Sequence, residues 1–147
     1  MSGGAGAILL AAGQGRRLGH DKSMTAIAGR PVLAYGLEVL LKSRGIEKVV
    51  VTVREDVRKD AADWVGKNLG SEAKRVEVIV GGRERQDSVG EGLKVLGSGV
   101  EWAVVHDAAR VLTSVGLIEK VIQGAQGVGA AAAARKMSDT VRQADGQ

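Results

Sequence analysis

The feature that most constrains this chain is an apolar run that ends abruptly in glycines and basic residues. Residues 7–22 read AILLAAGQGRRLGHDK, and residues 7–12 have the length and composition of a buried strand. Gly13 and Gly15 come directly after it. Three basic residues follow: Arg16, Arg17 and Lys22. Glycines let backbone N–H groups approach an anion closely, and arginine and lysine supply positive charge. The stretch therefore predicts a phosphate-binding loop at the carboxyl end of the first strand, where open α/β sheets bind ligands.

The glycines alone fit several kinds of loop. A glycine-rich turn after a strand is often only a tight turn, and it is the basic residues that favour a phosphate site. A Walker A loop is excluded because Leu18 stands where its second glycine is required. Leu18 also interrupts the G-x-G-x-x-G pattern of dinucleotide-binding proteins, since Gly19 comes one position late.

Length and cysteine content restrict the class of protein. The 147 residues suit one domain that buries its own core. The sequence has no cysteine, which excludes disulfides, thiolate metal sites and cysteine nucleophiles and agrees with a reducing cytoplasm. The N-terminal MSGGAG lacks a basic region, and the apolar run behind it is too short for a signal peptide or a membrane span. We expect a soluble cytoplasmic protein with no membrane partner.

The basic charge has two possible readings. A net charge of +4 and a pI near 9.6 are compatible with nucleic-acid binding. However, the aromatic residues are only Tyr35, Trp64 and Trp102, too few for a base-stacking platform. Basic residues are instead concentrated in short motifs, at positions 16, 17, 22, 83, 85 and 110. The pattern favours small phosphorylated ligands over nucleic acid.

Strand and helix patterns alternate along the chain. Strands are expected at residues 48–53, 76–80, 102–105 and 128–134. Helices are expected at residues 31–42, after an N-cap at Asp56, from Gln86 or Asp87, and from Thr113 or Ser114 to Gly124. The side chains expected to face the core include Trp64, Val89, Leu93, Leu96, Leu117, Ile118, Val121 and Ile122. This alternation predicts a three-layer α/β domain with a mainly parallel sheet.

Two later motifs lie where predicted strands end. In GGRERQDS, residues 81–88, the glycine pair permits close backbone approach, and Ser88 with the backbone can hydrogen-bond the edge of a base. The plainer alternative is a glycine turn with a helix cap. In HDAAR, Asp107 can hold Mg²⁺ together with substrate phosphates, or it can simply cap the turn or pair with Arg110. His106 is interpreted as a structural residue, and residues 138–140 as a turn.

Taken together, the motifs resemble the 2-C-methyl-D-erythritol 4-phosphate cytidylyltransferase family. AAGQGRRLG with Lys22, GGRERQDSV, VHDAAR and SDT follow the family's order and cover essentially the whole chain. The first motif alone also fits sugar-phosphate nucleotidyltransferases and the molybdenum-cofactor guanylyltransferase type. The resemblance implies a Rossmann-like nucleotidyltransferase fold that transfers CMP from CTP to 2-C-methyl-D-erythritol 4-phosphate and releases pyrophosphate in isoprenoid biosynthesis. It also implies Mg²⁺ or another divalent cation, and a homodimer formed by an arm that begins near Ser138.

The resemblance assigns roles to particular residues. Those expected to bind CTP are Ala11, Ala12, Gly13, Gly15, Gly82, Arg83 and Ser88. Arg17 and Lys22 are expected to bind the triphosphate and to be catalytic, with Lys22 at the α-phosphate. Asp107 is expected to hold the cation and contact substrate, and Arg110 and Thr140 to contact methylerythritol phosphate. No general base is required, because the attacking phosphate monoester has a second pKa near ~6 and is mostly ionised at neutral pH.

The sequence departs from the family pattern in three places. Asp21, Ser23 and Met24 surround Lys22 where the family commonly has Pro before and Gln-Phe after it, and Val111 replaces a proline. The chain also ends at Gln147, where family members continue. We therefore expect residues 1–147 to form a single nucleotidyltransferase domain truncated within or after the dimerisation arm. Two alternatives stay open: a catalytically inactive nucleotide-binding module, and a related nucleotidyltransferase with a different sugar-phosphate acceptor.

Overall fold

The computed structural model describes residues 4–13, 22–138 and 140. The strands are β1 (Ala5–Leu10), β2 (Ala26–Ile27), β3 (Arg30–Pro31), β4 (Ile46–Val53), β5 (Val76–Val80) and β6 (Trp102–Asp107). The α-helices are α1 (Val32–Lys42), α2 (Arg58–Asn68), α3 (Arg85–Leu96) and α4 (Val115–Val128). Short 3₁₀ segments cover Glu55–Val57, Gly70–Arg75 and Gly97–Gly99. Among these residues, no helix is both long and apolar enough to cross a membrane.

Four strands form a parallel sheet in the order β5-β4-β1-β6. Leu9 of β1 lies opposite Val51 of β4 and His106 of β6. The strands β2 and β3 form a separate antiparallel pair. The first strand is therefore central, and the loops that follow β1, β4, β5 and β6 all leave the same edge of the sheet. The mainly parallel sheet predicted from the sequence is confirmed.

Helices cover both faces of the sheet. On one face, Ala7 and Leu9 belong to a buried cluster to which α1, α2 and α4 contribute. On the other face, Ile8 and Val50 pack with Leu96 of α3. Because consecutive residues of β1 point to opposite faces, an apolar run without alternation is what a strand buried on both sides requires. The three-layer α/β architecture is confirmed.

The contact between α3 and β1 is close because a glycine faces the strand. Gly92 is buried, and a Cβ added there would lie 2.8 Å from Cγ2 of Ile8. Such a separation is too short for two carbon atoms, so α3 approaches the sheet only because this position has no side chain. The helix that follows the GGRERQDS motif is thereby fixed against the strand that carries the glycine loop.

The end of the last helix was predicted wrongly. The helix α4 continues past Gly124 to Val128, and Gly129 ends it with φ 93°. Residues 129–138 are exposed and contain no strand, so the strand expected at residues 128–134 is not present. A run of alanines has low strand propensity and forms a strand only where a neighbouring strand pairs with it. Gly129 ends the helix because it adopts the left-handed conformation. The sequence alone does not show which of Gly124 and Gly129 adopts that conformation.

Smaller corrections concern helix starts and buried faces. The helix α3 begins at Arg85, and Asp56 forms an ion pair with Arg54 instead of capping a helix. Leu93 is 46% exposed and Leu117 is 41% exposed, although both were predicted to face the core. Trp64 is only partly buried. The buried residues of the two helices are Ser88, Gly92 and Leu96 on α3, and Ile118 and Ile122 on α4. Val89 is partly buried and packs against the core, as predicted.

Candidate functional site

A cleft of about 740 Å³ opens at the carboxyl ends of the parallel strands. The described residues that line it are Leu10, Ala11, Ala12, Gly13, Lys22, Ser23, Val32, Gly82, Arg83, Glu84, Arg85, Ser88, Asp107, Ala108, Ala109 and Arg110. They come from five separate parts of the chain, which the fold brings to one edge of the sheet. This is the position at which open α/β sheets bind ligands.

Backbone hydrogen bonds fix the three loops that leave this edge. The N–H of Ala11 donates to the carbonyl of Thr52 at 2.8 Å, which extends the pairing of β1 with β4. The N–H of Ala108 donates to the carbonyl of Leu10 at 3.0 Å, and Gly81 donates to Val53 at 2.8 Å. Each loop therefore starts from a fixed point, and the cleft is held by the sheet itself.

One side of the cleft, the glycine wall, consists of residues 81–88. Its geometry depends on the absence of side chains at two positions. A Cβ added at Gly81 would lie 2.6 Å from Cβ of Ala12, and one at Gly82 would lie 2.2 Å from Cβ of Asp87. The close backbone approach predicted for the glycine pair is confirmed, and it brings the wall against the end of β1.

Ser88 holds the glycine wall together from inside. It is 3% exposed, and its Oγ accepts a hydrogen bond from the N–H of Gly82 at 3.1 Å. The same hydroxyl donates to the carbonyl of Glu84 at 3.3 Å, and the N–H of Glu84 donates to the carboxylate of Asp87 at 3.0 Å. The sequence suggested that Ser88 meets a ligand, and also allowed a glycine turn with a helix cap. The structure shows its hydroxyl used within the wall.

The opposite side, the charged wall, consists of residues 107–110. Asp107 is the last residue of β6, and its side chain is 32% exposed. Oδ1 accepts a hydrogen bond from Nε of Arg85 at 3.2 Å, and Nη2 of Arg85 lies 3.1 Å from the same oxygen. Oδ2 accepts one from Nε of Arg110 at 3.2 Å. The predicted pairing with Arg110 is confirmed, and Arg85 is a second partner that comes from the other wall.

His106 precedes this carboxylate and is buried in the sheet. It is 6% exposed and lies close to Gly36 of α1, where an added Cβ would be 3.4 Å from its Cδ2. Burial lowers the pKa of His106. The charge of Asp107 raises this pKa, and the charge of Arg110 lowers it. The side chain does not line the cleft, which agrees with its interpretation as a structural residue.

The structure brings together most of the predicted ligand-binding residues. Ala11, Ala12 and Gly13 line the cleft with Lys22, and they face both walls. Lys22 is half-buried and forms no ion pair with any other residue of the described segments. Gly15 and Arg17 lie outside the described residues. Thr140 is exposed and is absent from the described lining of the cleft.

Arg85 is the cleft residue that sequence reasoning missed. It was noted among the basic residues and as part of the GGRERQDSV motif, but Arg83 was chosen as the ligand-binding arginine of this motif. The available signal was its position three residues before Ser88, which places the two side chains on one face of a helix. That spacing becomes informative only when the helix is known to begin at Arg85.

A parallel sheet with an arginine- and lysine-lined cleft at its carboxyl edge is typical of α/β proteins that bind phosphorylated ligands there. The model of the family 2-C-methyl-D-erythritol 4-phosphate cytidylyltransferase matches residues 5–147. The chain belongs to this family.

Individual relatives agree with this assignment. The chain is 37% identical over 139 residues to the 2-C-methyl-D-erythritol 4-phosphate cytidylyltransferase of Dehalococcoides mccartyi, covering 94% of this chain and 60% of the relative. The crystal structure of 4-diphosphocytidyl-2C-methyl-D-erythritol synthase from Anaerococcus prevotii is similar with a TM-score of 0.70 and 27% identity, covering 83% and 50%. A Mycobacterium tuberculosis protein in complex with manganese shares the fold alone, with a TM-score of 0.62 and 16% identity, covering 86% and 62%. The chain spans about 60% of the length of the curated relatives it matches.

Proposed function

We propose that the protein transfers CMP from CTP to 2-C-methyl-D-erythritol 4-phosphate and releases pyrophosphate, a step of isoprenoid precursor biosynthesis. Family membership supports this reaction. The observation that carries the proposal is the cleft itself, in which Lys22, the glycine wall and the charged wall surround one space. We assign the end of β1 and the glycine wall to the nucleoside, Lys22 to the triphosphate, and the charged wall to the cation and the acceptor.

The end of β1 and the glycine wall are proposed to bind the cytidine. Backbone groups of residues 11–13 line the cleft opposite Gly82 and Arg83. Because the hydroxyl of Ser88 already bonds within the wall, base recognition is assigned mainly to backbone N–H and C=O groups, with Ser88 fixing their positions. Gly15 and Arg17 keep their predicted roles at the triphosphate.

Asp107 is proposed to hold a divalent cation together with the nucleotide, and Mg²⁺ is the specific choice. Mg²⁺ commonly binds through one or two carboxylates plus substrate phosphates, and Asp107 is the aspartate that lines the described cleft. The single carboxylate of Asp107 fits a cation that the triphosphate also holds. Bound there, a cation neutralises phosphate charge during transfer.

The chain's own residues supply positioning and charge. A phosphate oxygen of the acceptor bonds to the α-phosphorus of CTP, and the bond from that phosphorus to the β-phosphate oxygen breaks, which releases pyrophosphate. The ammonium of Lys22 is placed to stabilise the charge that grows on the α-phosphate. Arg110 is placed to bind the phosphate of the acceptor. The acceptor phosphate is already mostly ionised, so no proton acceptor is needed.

Thr140 favours one alternative, a module that binds CTP without turning it over. Thr140 was predicted to contact the acceptor, but it is exposed and is absent from the described lining of the cleft. In contrast, residues that are proposed to bind the nucleotide or its cation line the cleft on both walls. A nucleotidyltransferase with another sugar-phosphate acceptor is the remaining candidate.

The test is pyrophosphate release from CTP and Mg²⁺ by this chain, with and without 2-C-methyl-D-erythritol 4-phosphate. Release that depends on this acceptor supports the proposed reaction. CTP binding without release supports the binding module, and release with a different sugar phosphate identifies the third candidate. Absence of CTP binding in a folded protein contradicts all three.

A homodimer and a cytoplasmic location belong to the same proposal. Exposed apolar side chains after β6 are consistent with a protein partner, since Leu112 is 95% exposed, Val128 81% and Met137 65%. Sedimentation of the purified chain tests the dimer directly.

A further inference from the structure

Arg85 connects the two walls of the cleft. It is the first residue of α3 and belongs to the glycine wall, whereas its partner Asp107 ends β6 in the charged wall. Two of its nitrogens, Nε and Nη2, lie 3.2 and 3.1 Å from the same oxygen, Oδ1. The contact therefore holds Oδ1 toward α3, while Oδ2 bonds to Arg110, so the two arginines together orient the carboxylate.

The backbone of Arg85 is itself fixed to the glycine wall. On either side of it, the N–H of Ser88 donates to the carbonyl of Glu84 at 3.1 Å, and the N–H of Glu84 donates to Asp87. The hydroxyl of Ser88 in turn accepts the N–H of Gly82. A nucleoside seated on Gly82 is thus connected to Asp107 through one turn of helix and one guanidinium group.

Folding stability does not account for this ion pair. The side chain of Arg85 is 62% exposed and that of Asp107 is 32% exposed. Exposed pairs of this kind contribute at most about 1 kcal/mol to stability, and often much less. The orientation of the carboxylate toward the cleft is the more specific consequence of the contact.

We propose that Arg85 is a positioning residue, which orients the Asp107 carboxylate so that the nucleotide-bound cation meets it correctly. This inference rests on the proposed function, and specifically on a divalent cation that binds together with CTP. Arg110 bonds the other oxygen, Oδ2, from the same short loop as Asp107. Arg85 supplies the restraint from outside that loop.

The test measures binding of Mn²⁺ to the protein saturated with CTP, by electron paramagnetic resonance of the free ion. Arg85→Gln is expected to weaken this binding about 5- to 10-fold, while CTP affinity measured without a divalent cation changes less than about 2-fold. The matched control is Lys94→Gln, which removes another exposed cation of α3 from an ion pair, that with Glu91 at 2.7 Å. It is expected to change neither quantity.

A double-mutant cycle shows whether Arg85 acts through Asp107. In the Asp107→Asn background, Arg85→Gln is expected to have no further effect on Mn²⁺ binding, because the group that it orients is already lost. An equal effect in both backgrounds, or an Arg85→Gln variant that binds Mn²⁺ like the parent, overturns the proposal.

The same measurements separate this inference from the proposed reaction. A parent protein that binds CTP and Mn²⁺ but never releases pyrophosphate contradicts the reaction, and the cycle still decides the role of Arg85. A folded parent protein that binds no Mn²⁺ in the presence of CTP overturns both.

Discussion

The two walls of the cleft are built by different forces. The glycine wall is closely packed and internally hydrogen-bonded, with a serine that is 3% exposed at its centre. The charged wall presents Asp107 and Arg110, and Arg85 reaches it from the glycine wall; these three side chains are 32% to 72% exposed. Close packing therefore determines the structure of the glycine wall, and ion pairs determine the structure of the charged wall. Substitutions in the first wall should change folding and binding together, whereas those in the second should change binding with little effect on folding.

The largest effect is expected for Gly82→Ala. The new Cβ would lie 2.2 Å from Cβ and 2.9 Å from the backbone carbon of Asp87, so the wall has to move. We expect stability to fall by about 1–3 kcal/mol and CTP affinity at least ~10-fold. Calorimetric titration with CTP and urea unfolding measure the two effects. Gly90→Ala is the matched control, because no atom lies within 4 Å of its added Cβ and alanine favours the helix. Equal behaviour of the two variants would show that the wall is not close-packed.

Ser88→Ala should have the next largest effect. The substitution removes the acceptor of the Gly82 N–H in a buried position, which is expected to cost about 1–2 kcal/mol in the free energy of unfolding. Urea unfolding measures this loss, and Ser98→Ala at an exposed position serves as the reference. A loss below the error of the measurement would mean that water or the backbone replaces the hydroxyl.

Asp107→Asn tests how much the charged wall contributes to the same quantity, the free energy of unfolding. The amide keeps the shape of the side chain but ends its ion pairs with Arg85 and Arg110, both exposed. We expect the free energy of unfolding to change by less than about 1 kcal/mol, because water screens such pairs. Urea unfolding at low and high salt provides the measurement. A loss as large as that of Ser88→Ala would remove the distinction between the walls.

Glu38→Gln provides a reference ion pair outside the cleft and should have the smallest effect. Glu38 contacts Lys42 at 2.6 Å and Arg30 at 2.8 Å, and hydrogen bonds from Lys42 and then Arg30 lower its pKa. Its contribution is therefore present above the ordinary pKa of 4.5 and is lost as pH falls through the lower value of the folded state. At neutral pH we expect a loss below about 0.5 kcal/mol. Unfolding at pH 7 and at pH 3 should show the difference from the parent shrinking in acid.

The sheet and the glycine wall could be predicted from the sequence because their signals are local. The strands β1, β4 and β5 are apolar runs that end in turn residues, and the glycine pair at 81 and 82 directly indicates close backbone approach. The wrongly predicted strand at residues 128–134 depended on a partner strand, which no local pattern reveals. Leu93 and Leu117 were expected to be buried because hydrophobicity alone does not show which stripe of a helix faces the sheet.

The charged wall, in contrast, could be predicted from the sequence only in part. The pairing of Asp107 with Arg110, three residues away, was among the alternatives that the sequence left open. The contact with Arg85 joins residues 22 positions apart and depends on where α3 starts and how β6 lies beside β1. Arg83 has the same chemistry two residues earlier, so composition gave no reason to prefer Arg85. Long-range ion pairs become visible only once the elements that carry them are in place.

The strand order affects how quickly the strands next to the walls exchange their amide protons. Among the described strands, β1 is hydrogen-bonded on both sides, whereas β6 is bonded only to β1. Amide protons on the outer side of β6 should therefore exchange with deuterium before those of β1, because a strand bonded on one side opens at lower free energy. The strand β5, which precedes the glycine wall, is likewise bonded on one side only, so a ligand joining both walls would slow proton exchange in both edge strands.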